Sequence, residues 1–204
     1  MNITKLLIID VALVAVGMPL LFIFQNKSFK QLLSGSPSAE NSQSYPSGNL
    51  PDQERLISLE KIAQKNGSGI NFESLIGSWR FHSVWKQKED KEDLISSSLL
   101  RFFSAKLELN KNGSDKFAIT NSIKFGLLII QFSGIGTLRG NQPLLPFFFD
   151  SIELKANSTI LISRSLEAPE EKKRPFFALI SMGENGRWLS ARGRGGGLAL
   201  WLKE

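Results

Sequence analysis

The 204-residue chain contains no cysteine, one histidine (His82) and one tyrosine. Without cysteine it can form no disulfide bond, no thiolate metal site and no cysteine nucleophile. A single histidine excludes His-rich metal clusters and leaves little for a Ser-His-Asp arrangement. The paired carboxylates, such as Glu170-Glu171, lie in charged stretches that are typical of solvated surface. We therefore expect a protein that is not an enzyme and that uses no metal or cofactor.

The chain is mildly basic and rich in phenylalanine. It has 25 Lys and Arg against 19 Asp and Glu, a formal charge of +6, and 15 Phe. A positive charge of this size is compatible with an anionic membrane surface but does not by itself indicate one. The glycine-rich residues 192–197 include two arginines, but they have neither a P-loop lysine nor Rossmann spacing. We expect an apolar ligand and a membrane as partners and no nucleic acid, while protein partners stay open.

Residues 6–24 form a run of 19 mostly apolar residues, long enough for a helix to span a hydrocarbon core. Asp10 and Pro19 weaken this interpretation. A cleaved signal peptide is the alternative, but no small-x-small site directly follows Phe24. We expect residues 1–33 to be a single-pass membrane anchor with its flank, and its orientation stays open.

A linker and a single folded domain follow the anchor. Residues 34–51 are rich in Ser, Pro, Gly and Asn and have no apolar period, which predicts a disordered linker. The folded domain is expected over 52–204. It opens with a helix at 53–65, for which Asp52 is the N-cap and Asn66-Gly67 the stop.

From residue 75 onward the apolar period changes to two, which predicts β-strands. Over 77–85, Gly77, Trp79, Phe81 and Trp85 share one face. The remaining strands are expected at 101–110, 117–125, 127–138, 147–155, 159–166, 175–182, 187–193 and 198–203. Tight turns separate them, and the charged segment 167–174 is expected to be a hairpin tip.

This pattern predicts an all-β fold, a lipocalin-like antiparallel barrel of about eight or nine strands. Glycines such as Gly134 and Gly136 lie inside strands, where a barrel must bend. Closure would also hide the apolar run at 127–132, which is an aggregation hazard on an exposed edge. Trp79 is expected at the base of the barrel, under a cation–π contact from Arg192 or Arg194.

Strand alternation also predicts which side chains line the interior. The candidate ligand-binding residues are Trp79, Phe81, Phe117, Ile119, Asn121, Phe125, Ile130, Phe132, Ile162, Arg164 and Phe177. Leu107, Leu109, Ile160 and Leu200 are expected to point inward with them. Asn121 and Arg164 would be the polar groups of this wall, and a buried arginine requires a partner or a ligand head group. The same positions would also form a solid core, so a pocket and a packed interior both remain open.

Three segments of the domain resemble a known family. They are the Leu-x-x-Leu-Glu-Lys helix at 56–61, Leu-Ile-Gly-Ser-Trp-Arg-Phe at 75–81, and the Arg-Gly segment with its closing strand at 189–201. Together they resemble the plastid lipid-associated protein (fibrillin) family of photosynthetic organisms, over roughly 53–204. The resemblance implies a lipocalin-like barrel on thylakoids or lipid globules.

The resemblance also implies a function without a defined reaction, the binding or organising of carotenoids, quinones or lipids. The expected function is thus a membrane-tethered, non-enzymatic binder or carrier of an apolar small molecule in photosynthetic membranes. The alternative is a structural or assembly scaffold of thylakoid membranes that has no ligand. A third possibility is a lyase-type chaperone for a pigment.

Overall fold

The computed structural model describes residues 50–85, 105–140 and 143–204. The anchor expected within 1–33, nearly all of the linker and the start of the strand expected at 101–110 lie outside these ranges. Within the described residues, no helix has the length and apolarity needed to cross a membrane.

In the described part of the chain two helices precede the sheet, α1 (Gln53–Asn66) and α2 (Phe72–Leu75). The Asp52 carboxylate accepts a hydrogen bond from the backbone N–H of Arg55 at 2.8 Å. Gly67, at φ +83°, ends α1 and donates its N–H to the carbonyl of Ala63. The expected helix, its cap and its stop are thereby confirmed. The four-residue α2 was not expected, since one turn is too short to show a period.

Nine strands follow the helices in the described part of the chain. They are β1 (Gly77–Trp85), β2 (Lys106–Lys111), β3 (Lys116–Phe125), β4 (Leu128–Thr137), β5 (Leu144–Ala156), β6 (Thr159–Ser165), β7 (Phe176–Met182), β8 (Trp188–Gly193) and β9 (Leu198–Lys203). Each matches one of the strands expected from the alternation. The ends agree within about three residues, except at the start of β2, which was expected at residue 101, outside the described residues.

The strands form one antiparallel sheet that closes into a ring. The pairing order is β4-β3-β2-β1-β9-β8-β7-β5-β6, and β4 also pairs with β5. The long strand β5 makes this closure possible, because its start pairs with β7 and its end pairs with β4 and β6. β6 therefore extends the sheet beyond the ring. Segment 167–174 is not the expected hairpin tip, since β6 and β7 both flank β5 and do not pair with each other.

The described residues of the folded domain form two apolar clusters. The inner core fills the ring and includes Trp79, Phe117, Phe147, Phe177 and Trp201. The outer core lies between α1 and the outside of the sheet, and its members are Leu56, Trp85, Ile180, Leu198 and Leu200. The inward position expected for Leu200 is therefore wrong, because Ala199 and Trp201 take the inner face of β9. Alternation gave no signal there, since β9 is apolar on both faces.

Because β1 contains a bulge, its side chains contribute to both the inner and the outer core. The pairing of β1 with β9 shifts register between Phe81 and Ser83. A one-residue shift moves every following side chain to the opposite face. Trp79, Phe81 and Val84 therefore lie in the inner core, while Trp85 lies in the outer core. The expectation that Trp85 shares a face with Trp79 is wrong for this reason.

Trp79 closes the base of the ring, as expected. Its side chain is fully buried, and its indole N–H donates to the carbonyl of Leu75 at 2.8 Å. The cation over its ring is Lys203, whose Nζ is 5.0 Å from the ring centroid. The expected arginine partner is wrong, since Arg192 binds Glu60 on α1 and Arg194 donates to the carbonyl of Arg174.

Candidate ligand-binding face

The pairing registers place most of the candidate residues on one side of strands β3 to β6. Directly opposed residues in an antiparallel pair share a face of the sheet. One row across these strands consists of Asn121, Phe132, Ile152 and Arg164. The next row consists of Ile123, Ile130, Leu154 and Ile162. Phe125 and Leu128 begin a third row. We call these ten residues the mouth face.

Burial decreases along the mouth face from the ring toward β6. Phe132 and Ile123 are buried, and Ile130 and Ile152 pack half-buried against the inner core. Ile162 on β6 is 51% exposed. Exposure also rises toward the turn end of the face, where Phe125 is 40% exposed. The apolar residues of the face thus extend from the closed interior to solvent.

Three of the candidate residues are not enclosed as expected. Phe125, Ile162 and Arg164 lie on the expected face, but all three are exposed. For Ile162 and Arg164 the reason is that β6 is outside the ring, so its inward face has no opposing strand among the described residues. Phe125 is the last residue of β3, next to the turn into β4. Ile160 is also exposed, and it pairs with Lys155 across a register shift that turns it to the other face. The sequence could not show this, because alternation does not say which strands close the ring.

The deep end of the interior is packed with rings. Trp79, Phe81, Phe117, Ile119 and Phe177 are buried, as expected. The ring centroids of Phe147 and Phe177 are 5.0 Å apart, and those of Phe177 and Trp201 are 5.5 Å apart. At these distances the rings contact each other directly. These side chains build the floor and walls, and the accessible part of the interior is the mouth face.

Asn121 is the amide of the mouth face, and it is only 8% exposed. It lies opposite Leu107 on one side and Phe132 on the other. None of the hydrogen bonds between described residues uses its side-chain amide. No fully buried side-chain nitrogen or oxygen of the described residues lacks a partner, so the polar atoms of this amide keep some contact with solvent. A polar group in such a position costs free energy unless water or a ligand binds it.

Arg164 supplies a positive charge at the exposed end of the same row. Three strand spacings separate it from Asn121, or about 14 Å between backbones. The two groups therefore bracket the apolar side chains of Phe132 and Ile152. A ligand on the mouth face could therefore have its apolar body over these side chains and a polar group bound by Asn121 or by Arg164.

A concave region lies outside the ring, where α1 begins. This open cavity of about 440 Å³ is lined by Asp52, His82, Ser83, Trp85 and Leu200, among others. The His82 ring and the Ser83 hydroxyl hydrogen-bond at 2.8 Å. None of the candidate residues lines this cavity. The sequence did not reveal it, because it depends on the β1 bulge that turns Trp85 outward.

Among the described residues, the resolved pKa shifts belong to surface ion pairs away from the mouth face. A hydrogen bond to Glu204 raises the pKa of Lys106. Burial acts to raise the pKa of Glu204, but hydrogen bonds from Lys106 and Ser78 outweigh it and lower that pKa. The hydrogen bond and charge of Arg139 lower the pKa of Glu171. In the described ranges no three His, Asp or Glu side chains gather as they would around a metal ion.

No protein-family model matches this chain, and the search of curated proteins gave no match either. The geometry of the mouth face is therefore the basis for assigning a function.

Proposed function

We propose that the protein is a membrane-tethered, non-enzymatic binder or carrier of an apolar small molecule such as a lipid, a quinone or a carotenoid. In this proposal the ring is a lipocalin-like barrel, and the chain is a relative of the fibrillin family that its sequence resembles. The membrane concerned is a photosynthetic one, the thylakoid by that resemblance. The observation that carries the proposal is Asn121, an amide with no partner among the described residues at the inner end of an apolar face.

The mouth face suits a ligand with a long apolar body and a polar end. The body would cover Ile130, Ile152, Leu154 and Ile162, which are half-buried or exposed. Covering apolar surface contributes about 25 cal/mol per Å² before the cost of ordering the ligand. The polar end would hydrogen-bond the amide of Asn121, and a charged end could instead bind Arg164.

The scaffold without a ligand remains the second candidate. It is favoured by the contacts between Phe147, Phe177 and Trp201, because a packed interior leaves no room for a guest at that depth. The two candidates differ only at the mouth face, which a scaffold would use for a protein neighbour or leave in water.

A binding measurement on full-length protein in detergent separates the two candidates. Oleic acid and a short-chain quinone serve as probes, and the shift of the melting temperature is recorded. We expect one of them to stabilise the wild type, and Asn121→Leu to weaken its binding about fivefold, the effect of losing one hydrogen bond. Thr120→Val, on the other face of β3, is the matched control and should bind as the wild type does.

Extraction of the protein from its native membrane provides the complementary result. An apolar molecule that copurifies with wild type and is depleted in Asn121→Leu supports the carrier. If nothing apolar copurifies and neither probe shifts the melt, the carrier proposal fails and the scaffold stands.

A further inference from the structure

Two hairpin tips next to the mouth face present large apolar side chains to solvent. One tip joins β3 to β4 through Gly126 and Leu127, and the other joins β5 to β6 through Asn157 and Ser158. Leu127 is 68% exposed and Leu161 is 54% exposed. Leu128 and Ile160 are also exposed. We call Leu127, Leu128, Ile160 and Leu161 the tip patch.

The tip patch is held in place by the backbone. The N–H of Asn157 donates to the carbonyl of Leu127 at 2.7 Å and ties the two turns together. Gly126 and Asn157 have positive φ values, +56° and +52°, as tight two-residue hairpins require. Four large exposed apolar side chains lie on or beside these two tied turns, Leu128 on the mouth face and Ile160 on the other face of the sheet. This concentration at one end of the sheet differs from the singly scattered apolar residues of an ordinary surface.

The charge around the tip patch is positive. Segments 123–130 and 154–164 contain Lys124, Lys155 and Arg164 but no Asp or Glu. Lys155 pairs with Glu153 at 2.8 Å. No ion pair within the described residues involves Lys124 or Arg164. Apolar side chains at a protruding tip, flanked by basic residues, match the interface of a bilayer that carries anionic lipids.

We propose that the tip patch inserts into the surface of an anionic lipid bilayer, with Lys124 and Arg164 at the head groups. This contact is separate from the anchor expected at 6–24. It deepens the proposed function, since it would set the open end of the mouth face against the lipid from which an apolar ligand comes. The bilayer contact itself rests on the tips alone and does not require a ligand.

The absence of cysteine permits a depth measurement on the full-length protein. Leu127→Cys and Ser114→Cys each create a single site for a nitroxide spin label. Ser114 is an exposed residue of the β2–β3 turn, at the opposite end of β3 and about 30 Å away along the strand. The protein is reconstituted with vesicles of phosphatidylcholine and phosphatidylglycerol. Collision of each label with oxygen, which concentrates in hydrocarbon, is compared with collision with a water-soluble nickel chelate.

We expect the label at 127 to collide mainly with oxygen and the label at 114 mainly with nickel. Adding Leu161→Asp should lower the ratio of oxygen to nickel collisions at 127 to the value found at 114. Adding Asn112→Asp, at the far turn, should leave the ratio at 127 unchanged. Adding Lys124→Gln should reduce immersion in anionic vesicles. In vesicles of phosphatidylcholine alone, the label at 127 should be less immersed.

Other results would overturn the proposal. A water-accessible label at 127 in anionic vesicles rules out insertion. Spin–spin broadening at 127 without vesicles would show that a second copy covers the patch instead. Equal immersion with and without phosphatidylglycerol would remove the role of the anionic head groups. If no apolar molecule copurifies with the protein, the proposed function fails but the bilayer contact is not affected. The two proposals can therefore fail independently.

Discussion

Trp79 combines three interactions at one position at the base of the ring. Its indole is fully buried among the inner core residues, and its N–H is bonded to the carbonyl of Leu75. Lys203 covers the ring from the last strand. A side chain with this much burial and a satisfied polar group fixes α2, β1 and β9 relative to one another.

Replacing Trp79 should therefore have a large and graded effect. We expect Trp79→Ala to lower the free energy of unfolding by about 3–5 kcal/mol, since it opens a large cavity. Trp79→Phe should cost about 1–3 kcal/mol, because the Leu75 carbonyl loses its donor. Lys203→Met, which keeps the aliphatic stem, should cost only about 0.5–1 kcal/mol. Urea denaturation measures all three, and a smaller loss for Trp79→Ala than for Trp79→Phe would contradict this role.

Single residues of the candidate site were predictable only where burial followed alternation. Phe117 and Ile119 lie on a strand with clean alternation and no bulge, and both are buried as expected. Arg164 shows the limit of such prediction. Alternation correctly predicted the face of β6 on which it lies, but not that this face is exposed. Exposure depends on whether a strand has neighbours across the ring, and no local pattern contains that information.

The β4–β5 pair shows how an element bends so that the sheet can close. Its register shifts between Ser133 and Gly134. A Cβ on Gly134 would overlap the carbonyl oxygen of Phe148 and the Cα of Phe149. Glycine is thus required here by the close approach of two backbones.

The requirement can be tested with two glycine substitutions. Gly134→Ala should destabilise the fold by about 2–3 kcal/mol, because the backbone of β5 must move. Gly195→Ala is the matched control, since a Cβ there would meet no atom within 4 Å, and we expect a change within about 0.5 kcal/mol. Thermal melts followed by circular dichroism give both values. Equal melting temperatures for the two variants would mean that the β5 backbone can move away from residue 134 at little cost in stability.

Elements were more predictable than their arrangement. The turn residues Asn112-Gly113 and Asn157-Ser158 lie between strands as expected, because turn chemistry is local. The pairing of β5 with both β6 and β7 was not predictable, since each of these neighbours fits an antiparallel edge equally well. The bulge in β1 likewise has no sequence signal, and for that reason the sequence predicted the wrong face for Trp85.

At the scale of the whole molecule, one ion pair fastens α1 to the ring. The guanidinium of Arg192 on β8 donates from Nε and from an Nη to the two carboxylate oxygens of Glu60, both at 2.5 Å. Glu60 and Arg192 are partly buried, with 14% and 27% of their side chains exposed. The pair sits beside the outer core, so polar and apolar contacts hold the helix together.

Breaking this pair should release the helix before it unfolds the ring. We expect Arg192→Met to cost about 1–3 kcal/mol, because it leaves the Glu60 carboxylate without its donors. Adding Glu60→Leu should restore most of that loss, since no charge is then left unpaired. Lys61→Met, an exposed neighbour on α1, should change little. Hydrogen exchange of the α1 amides reports the release, and uniform acceleration throughout the sheet would contradict it.

The pairing of β1 with β9 has a consequence for how the protein is made. Trp79 pairs with Lys203, so the first and last strands of the described domain lie side by side. On the ribosome, β1 and α1 are synthesised long before β9, and both must wait for Leu198 and Leu200 to emerge. Contacts so distant in sequence form slowly. The outer apolar side chains of α1 and β1, Leu56 and Trp85, therefore lack these partners until β9 has emerged, and during that interval they are available to chaperones.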